Sequence, residues 1–115
     1  MKQLTEQQVL DNLEKFKSNI RKYINPERAD QLLEFYDKIQ VTLAISPAST
    51  KLSHHNCFAG GYVDHVNRVV EASLVLDKVW ERFGQKKTYT IEELVFSAIN
   101  HDLGKLGTDD EPFYI

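Results

Sequence analysis

Apolar residues recur every three to four positions through most of this chain, the spacing of helices that turn one face inward. Val9, Leu10, Leu13, Phe16, Ile20 and Ile24 form the first stripe, and Thr5 with Gln8 ahead of it reads as a capping box. Asn25-Pro26 then restarts the chain: Asn25 can cap a new helix, and Pro26 suits its first position, where a missing N–H costs nothing. Leu32, Leu33, Tyr36, Ile39 and Leu43 are the stripe of that second helix, which Ser46-Pro47-Ala48-Ser49-Thr50 breaks as a loop. Behind Gly60-Gly61 a third helix is predicted over about Tyr62 to Phe83, with Val66, Val69, Val70, Ser73, Leu76, Val79, Trp80 and Phe83 on one side. Gly84 and Lys86-Lys87 mark the next turn. Thr90 with Glu93 is a second capping box, opening a helix that points Ile91, Leu94, Val95, Ala98 and Ile99 inward and that Gly104 is placed to end. No alternating run is long enough to argue for a sheet, so the pattern predicts an all-α fold.

Composition narrows this picture without changing it. A chain of 115 residues suits one structural domain. Within it, residues 1–50 are expected to form a helical pair packed on the part carried by residues 51–115. Hydrophobic residues at 42% and charged residues at 27% are the balance of an ordinary globular protein. The net charge of −3 gives no general attraction to nucleic acid or to an anionic membrane, so a small anionic substrate would need a local cation. No apolar run approaches membrane-spanning length, and MKQLTEQQ has no signal-peptide core, so no membrane partner is expected. The single cysteine, Cys57, excludes an intrachain disulfide and fits a reducing, cytoplasmic setting.

The candidate chemistry lies in the histidines. All four, His54, His55, His65 and His101, fall from residue 54 onward. His65 stands one turn before Val69 at the edge of the third helix's apolar face. His101 continues the row of Leu94 and Ala98, and Asp102 that of Val95 and Ile99, where the pattern calls for apolar residues. Burying an ionised carboxylate or an imidazole without a partner is costly, and a divalent cation removes the conflict by taking nitrogen and oxygen lone pairs together. An isolated His-Asp pair is more often a hydrogen-bonded core histidine beside a helix-terminal acid. Here the pair belongs to His101-Asp102-Leu103-Gly104-Lys105, behind an apolar helix and an upstream helical histidine.

These residues resemble the HD-domain metal-dependent phosphohydrolases. His65 matches the family's first histidine, and His101-Asp102 matches its His-Asp pair in the HDLGK form. The segment His54-His55-Asn56-Cys57-Phe58-Ala59-Gly60-Gly61-Tyr62-Val63-Asp64-His65 is similar to the HHxxxxGGxxxH entry of a branch found in bacteria and phages. The resemblance spans His54 to Lys105 and implies an HD-domain-like helical bundle. It also implies a divalent metal (Mn, Fe, Co, Ni, Zn or Mg) held by His65, His101 and Asp102, and a metal-activated water that attacks a phosphoester, with a nucleotide as the expected substrate. His54 or His55 would then hold the phosphate or protonate the leaving oxygen, Asp102 could bridge to a second ion, and Lys105 would pair with phosphate. Lys105 has an equal claim as a solvated lysine that complements the helix dipole. The family's last Asp comes from a helix well beyond HDLGK. The chain stops at Ile115, with Asp109 and Asp110 in a turn-like stretch, so a shortened site, incomplete at the C-terminus, is expected.

Other readings compete. An HD core that has lost a ligand would bind metal or nucleotide without turnover, and residues 5–44, which carry no motif, could serve as a helical oligomerisation module. Cys57 beside His55 lacks a third orienting group and reads as a structural cysteine rather than a nucleophile. Asp64 reads as a solvated first-turn acid, and Gly60-Gly61 as a pair that lets the loop turn sharply into the helix.

Overall fold

The computed structural model describes residues 4–47 and 60–103, which form five helices; no strand occurs among the described residues. They are α1 (Glu6–Tyr23), α2 (Pro26–Lys38), α3 (Gln40–Ile45), α4 (Gly61–Arg82) and α5 (Ile91–Asn100). No helix among the described residues is long and apolar enough to cross a membrane.

Each predicted start is present. The hydroxyl of Thr5 accepts from the Gln8 N–H while Gln8 accepts from the Thr5 N–H, and Thr90 with Glu93 repeats the arrangement at α5. Asn25 accepts from the Glu27 N–H with Pro26 at the first position of α2. Helix α4 is the spine, with α5, α1 and α3 packed against it, while α2 rests on α1 and α3. The core between them is built from Phe16, Ile20, Tyr36, Leu43, Tyr62, Val66, Val70, Val95 and Ile99. Within it the Phe16 ring meets Tyr36 edge-on at 4.9 Å, and Phe35 meets Tyr36 at 5.3 Å.

Three expectations are corrected. The predicted second helix is two: the chain bends at Ile39 (φ −118°, ψ 27°), whose N–H donates back to the Tyr36 carbonyl. Ile39, Thr42 and Leu43 all remain buried across the bend, so the apolar period runs through it undisturbed and could not report it. On α4 the inward row is Val66, Val70 and Asp77, whereas Leu76, Val79, Trp80 and Phe83 stand exposed on the outer side. Asp77 is tolerated inside because Lys87 Nζ and the Tyr89 hydroxyl, from the connector to α5, each reach its carboxylate at 2.9 Å. Finally, α5 ends at Asn100, before Gly104, which lies outside the described residues.

Gly60 joins the two halves. It has φ +81°, donates to the Ile45 carbonyl, and precedes Tyr62, whose N–H donates to the Ser46 carbonyl. A Cβ at this position would stand 2.9 Å from a Val9 methyl, so glycine serves both the conformation and the close approach of α1. The result seats the first turn of α4, and with it His65, against the end of α3.

Candidate metal centre

His65 lies on the second turn of α4; His101 and Asp102 follow the last residue of α5. Since α5 packs along α4, its end arrives beside the beginning of α4. There His65 Nε2 stands 3.7 Å and His101 Nε2 3.0 Å from the same oxygen, Oδ2 of Asp102. The two imidazole rings are 5.6 Å apart, inclined at 54°. One nitrogen from each histidine and one carboxylate oxygen all lie within 4.8 Å of one another. The structure thus brings together all three residues expected to ligate a metal.

The donor set fits a divalent ion. A metal about 2.1 Å from each ligand separates neighbouring ligand atoms by about 3.0 Å at a right angle and about 3.4 Å in a tetrahedron. The 3.0 Å contact lies in that range and the 3.7 Å contact a few tenths of an ångström beyond it, a gap that a small side-chain movement closes. His101 adds a second argument. Its Nδ1 is 2.7 Å from the Ala98 carbonyl, which can only accept, so Nδ1 carries the hydrogen. Nε2 then meets the carboxylate either as the second N–H of an imidazolium or as a lone pair sharing a cation with Asp102. The second state is that of a metal-ligating histidine whose far nitrogen is tied to a backbone carbonyl.

The expectation that the cluster replaces apolar residues in the core is corrected. The side chains of His65 and Asp102 are 22% and 23% exposed, and that of His101 34%. The end of α5 has left the core by this point, so the three groups are partly exposed, and the case for a metal rests on ligand geometry rather than on the cost of burial.

Asp64, beside His65, is also not simply solvated. Only 14% of its side chain is exposed; Arg68 Nε lies 3.1 Å from its carboxylate, and the Asn12 amide approaches at 3.5 Å from α1. Asp64 therefore ties α4 to α1 and steadies the turn that carries His65. His54, His55, Cys57, Lys105, Asp109 and Asp110 lie outside the described residues. Sequence reading missed the Ala98 carbonyl, because a backbone partner leaves no residue-type signal, and it missed Asn100, whose amide partners are set by the fold alone.

No protein-family model matches this chain, and no curated protein and no solved structure is significantly similar to it.

Proposed function

We propose that this chain is an HD-type, metal-dependent phosphohydrolase domain acting on a nucleotide or another phosphoester. The observation that carries the proposal is the convergence of the partly exposed His65, His101 and Asp102 on one point, with Nδ1 of His101 committed to the Ala98 carbonyl. The motif strings around these residues support the same reading. His65 and His101 each present Nε2, and Asp102 presents the oxygen that both face. A divalent ion bound there would polarise a phosphate oxygen and activate water. The protein's contribution is to hold two neutral donors and one anionic donor in fixed relation, leaving the solvent side to substrate. Nitrogen and oxygen donors without thiolate suit Mn, Fe, Co, Ni or Zn.

A second reading is a domain that holds the metal without turnover. It rests on the same cluster of His65, His101 and Asp102, which can hold an ion whether or not hydrolysis follows. Both readings meet in one experiment, metal analysis of the purified chain followed by hydrolysis of bis(p-nitrophenyl) phosphate and a nucleotide panel with Mn, Co or Ni. The expected result is bound metal and metal-dependent hydrolysis, both lost in Asp102→Ala and His65→Ala. Stoichiometric metal without hydrolysis selects the second reading. A wild-type chain that takes up no metal refutes both.

A further inference from the structure

Tyr36 is almost completely buried, its ring meeting those of the buried Phe16 and the exposed Phe35 edge-on. Burial raises the pKa of its hydroxyl well above the ordinary tyrosine value, so it serves as a fixed donor. It donates at 2.7 Å to Oδ1 of Asn100, which is 64 positions away in sequence. The other end of the same amide is also used: Asn100 Nδ2 donates at 2.9 Å to the Phe96 carbonyl in the last turn of α5. Asn100 is the final residue of α5, immediately before His101 and Asp102. Its side chain thus binds the end of its own helix with one hand and α2 with the other.

We propose that Tyr36 and Asn100 are positioning residues for the metal centre, holding the end of α5 so that His101 and Asp102 meet His65 in register. The inference rests on the metal-centre reading above and gives the N-terminal helices a role in it. Helix α2 packs on α1 and α3 rather than on α5, and besides this hydrogen bond its polar link to α5 is the exposed Arg28–Glu92 pair at the opposite end. The near end of α5, where the ligands emerge, is therefore fixed to α2 through Tyr36. Without that bond the His101-Asp102 backbone can rotate or slide, and donor separations of 3.0 and 3.7 Å leave little room before one ligand is lost. Partners that orient ligands without touching the metal typically change affinity by about 10- to 100-fold when removed.

A merely structural hydrogen bond would lower the stability of the metal-free chain and leave metal affinity alone, so both are measured. Tyr36→Phe removes only the hydroxyl and keeps the ring against Phe16 and Phe35. Gly84→Ala strains the left-handed turn just past the end of α4 opposite His65 and serves as the control for lost stability. Co(II) titration of the full chain, read by d–d absorbance and by competition with a chelator, gives affinity and coordination; a melt without metal gives stability. The expected result is a Co(II) Kd weakened about tenfold in Tyr36→Phe with altered d–d bands, and unchanged in Gly84→Ala. Should Tyr36→Phe not fold, Asn100→Ala cuts the same bond from its more exposed side and is expected to weaken Co(II) binding alike. Equal affinity in wild type and Tyr36→Phe, or in wild type and Asn100→Ala, overturns the positioning role while leaving the metal centre intact. Absence of Co(II) binding in wild type overturns the metal reading itself, and this inference with it.

Discussion

Adding a metal that binds only the folded chain should raise its melting point, and truncating His101 should abolish the rise. The cluster supplies ligand atoms already close to coordination spacing, with Nε2 of His101 and of His65 3.0 and 3.7 Å from the shared carboxylate oxygen. Little of the binding free energy is then spent on rearrangement. At a free metal concentration a hundredfold above Kd, linkage gives about 2.7 kcal/mol of stabilisation. A domain of this size gains roughly 4–8 °C per kcal/mol, so the rise is on the order of ten degrees or more. Truncation to Ala also removes the hydrogen bond to the Ala98 carbonyl, at about 0.5–1.5 kcal/mol to the metal-free fold, so the comparison is between metal-induced shifts rather than melting points. The assay is a thermal melt of wild type and His101→Ala, each with and without Mn, Co or Ni. Protons compete with metal for imidazole nitrogens, so the wild-type increment should also shrink on acidification. Equal metal-induced shifts in the two proteins would refute the assignment of His101 as a ligand.

Two further predictions concern the frame around the site. Gly60→Ala should lower the metal-free melting point clearly more than Gly84→Ala. Both force a left-handed backbone at roughly 1–2 kcal/mol, but only at Gly60 does the new Cβ also press on a Val9 methyl, whereas at Gly84 nothing lies within 4 Å; equal losses would contradict the close-approach argument. The Asp77 cluster should make stability depend on pH at both extremes. Hydrogen bonds from Lys87 and then Tyr89 lower the Asp77 pKa, so its contribution is complete above the ordinary carboxylate range and lost as pH falls through its depressed value; hydrogen bonding to Asp77 raises the pKa values of Lys87 and Tyr89, so theirs is complete at neutral pH and lost as pH rises through the raised values. Denaturation midpoints of wild type and Asp77→Asn should accordingly differ most between about pH 5 and 9 and converge toward pH 3 and above pH 11. A difference that persists unchanged at pH 3 is the contrary result.

What could be read from the sequence, and what could not, divides by the range of the interaction. Capping boxes at Thr5 and Thr90, the Asn25-Pro26 restart and the Gly60 turn are decided within a few residues, and all are present as expected. The all-α class follows from the same local signals. The bend at Ile39 escaped because Tyr36, Ile39 and Leu43 stay inward on both sides of it, and periodicity reports which face is buried, not whether the axis is straight. The outer face of α4 was misread for a different reason. Continuing inward from Val66 and Val70 leads to Asp77, a residue that pattern reading rejects from a core, while Leu76, Val79 and Trp80 offer a more apolar row one step around the helix. Only the connector ten residues downstream, with Lys87 on one carboxylate oxygen and Tyr89 on the other, makes the polar row the buried one.

The same division explains the candidate site. Candidate ligands were legible because coordination demands particular residue types, and His65, His101 and Asp102 stand out by type and spacing. What turns three residues into a point of convergence was not legible, since it depends on helix α5 ending where it does and facing α4. That placement rests on a carbonyl at Ala98, which any residue could supply, and on an amide at Asn100 whose partner is Tyr36 on another helix. On the positioning proposal, the N-terminal helices, which carry no motif, reach the candidate metal centre through one buried hydroxyl. Substitutions at Tyr36 should act on metal affinity, whereas substitutions on the exposed face of α2 should not. A motif scan of the second half of the chain could not have shown this, because Tyr36 becomes informative only when its oxygen is seen 2.7 Å from the residue that precedes His101.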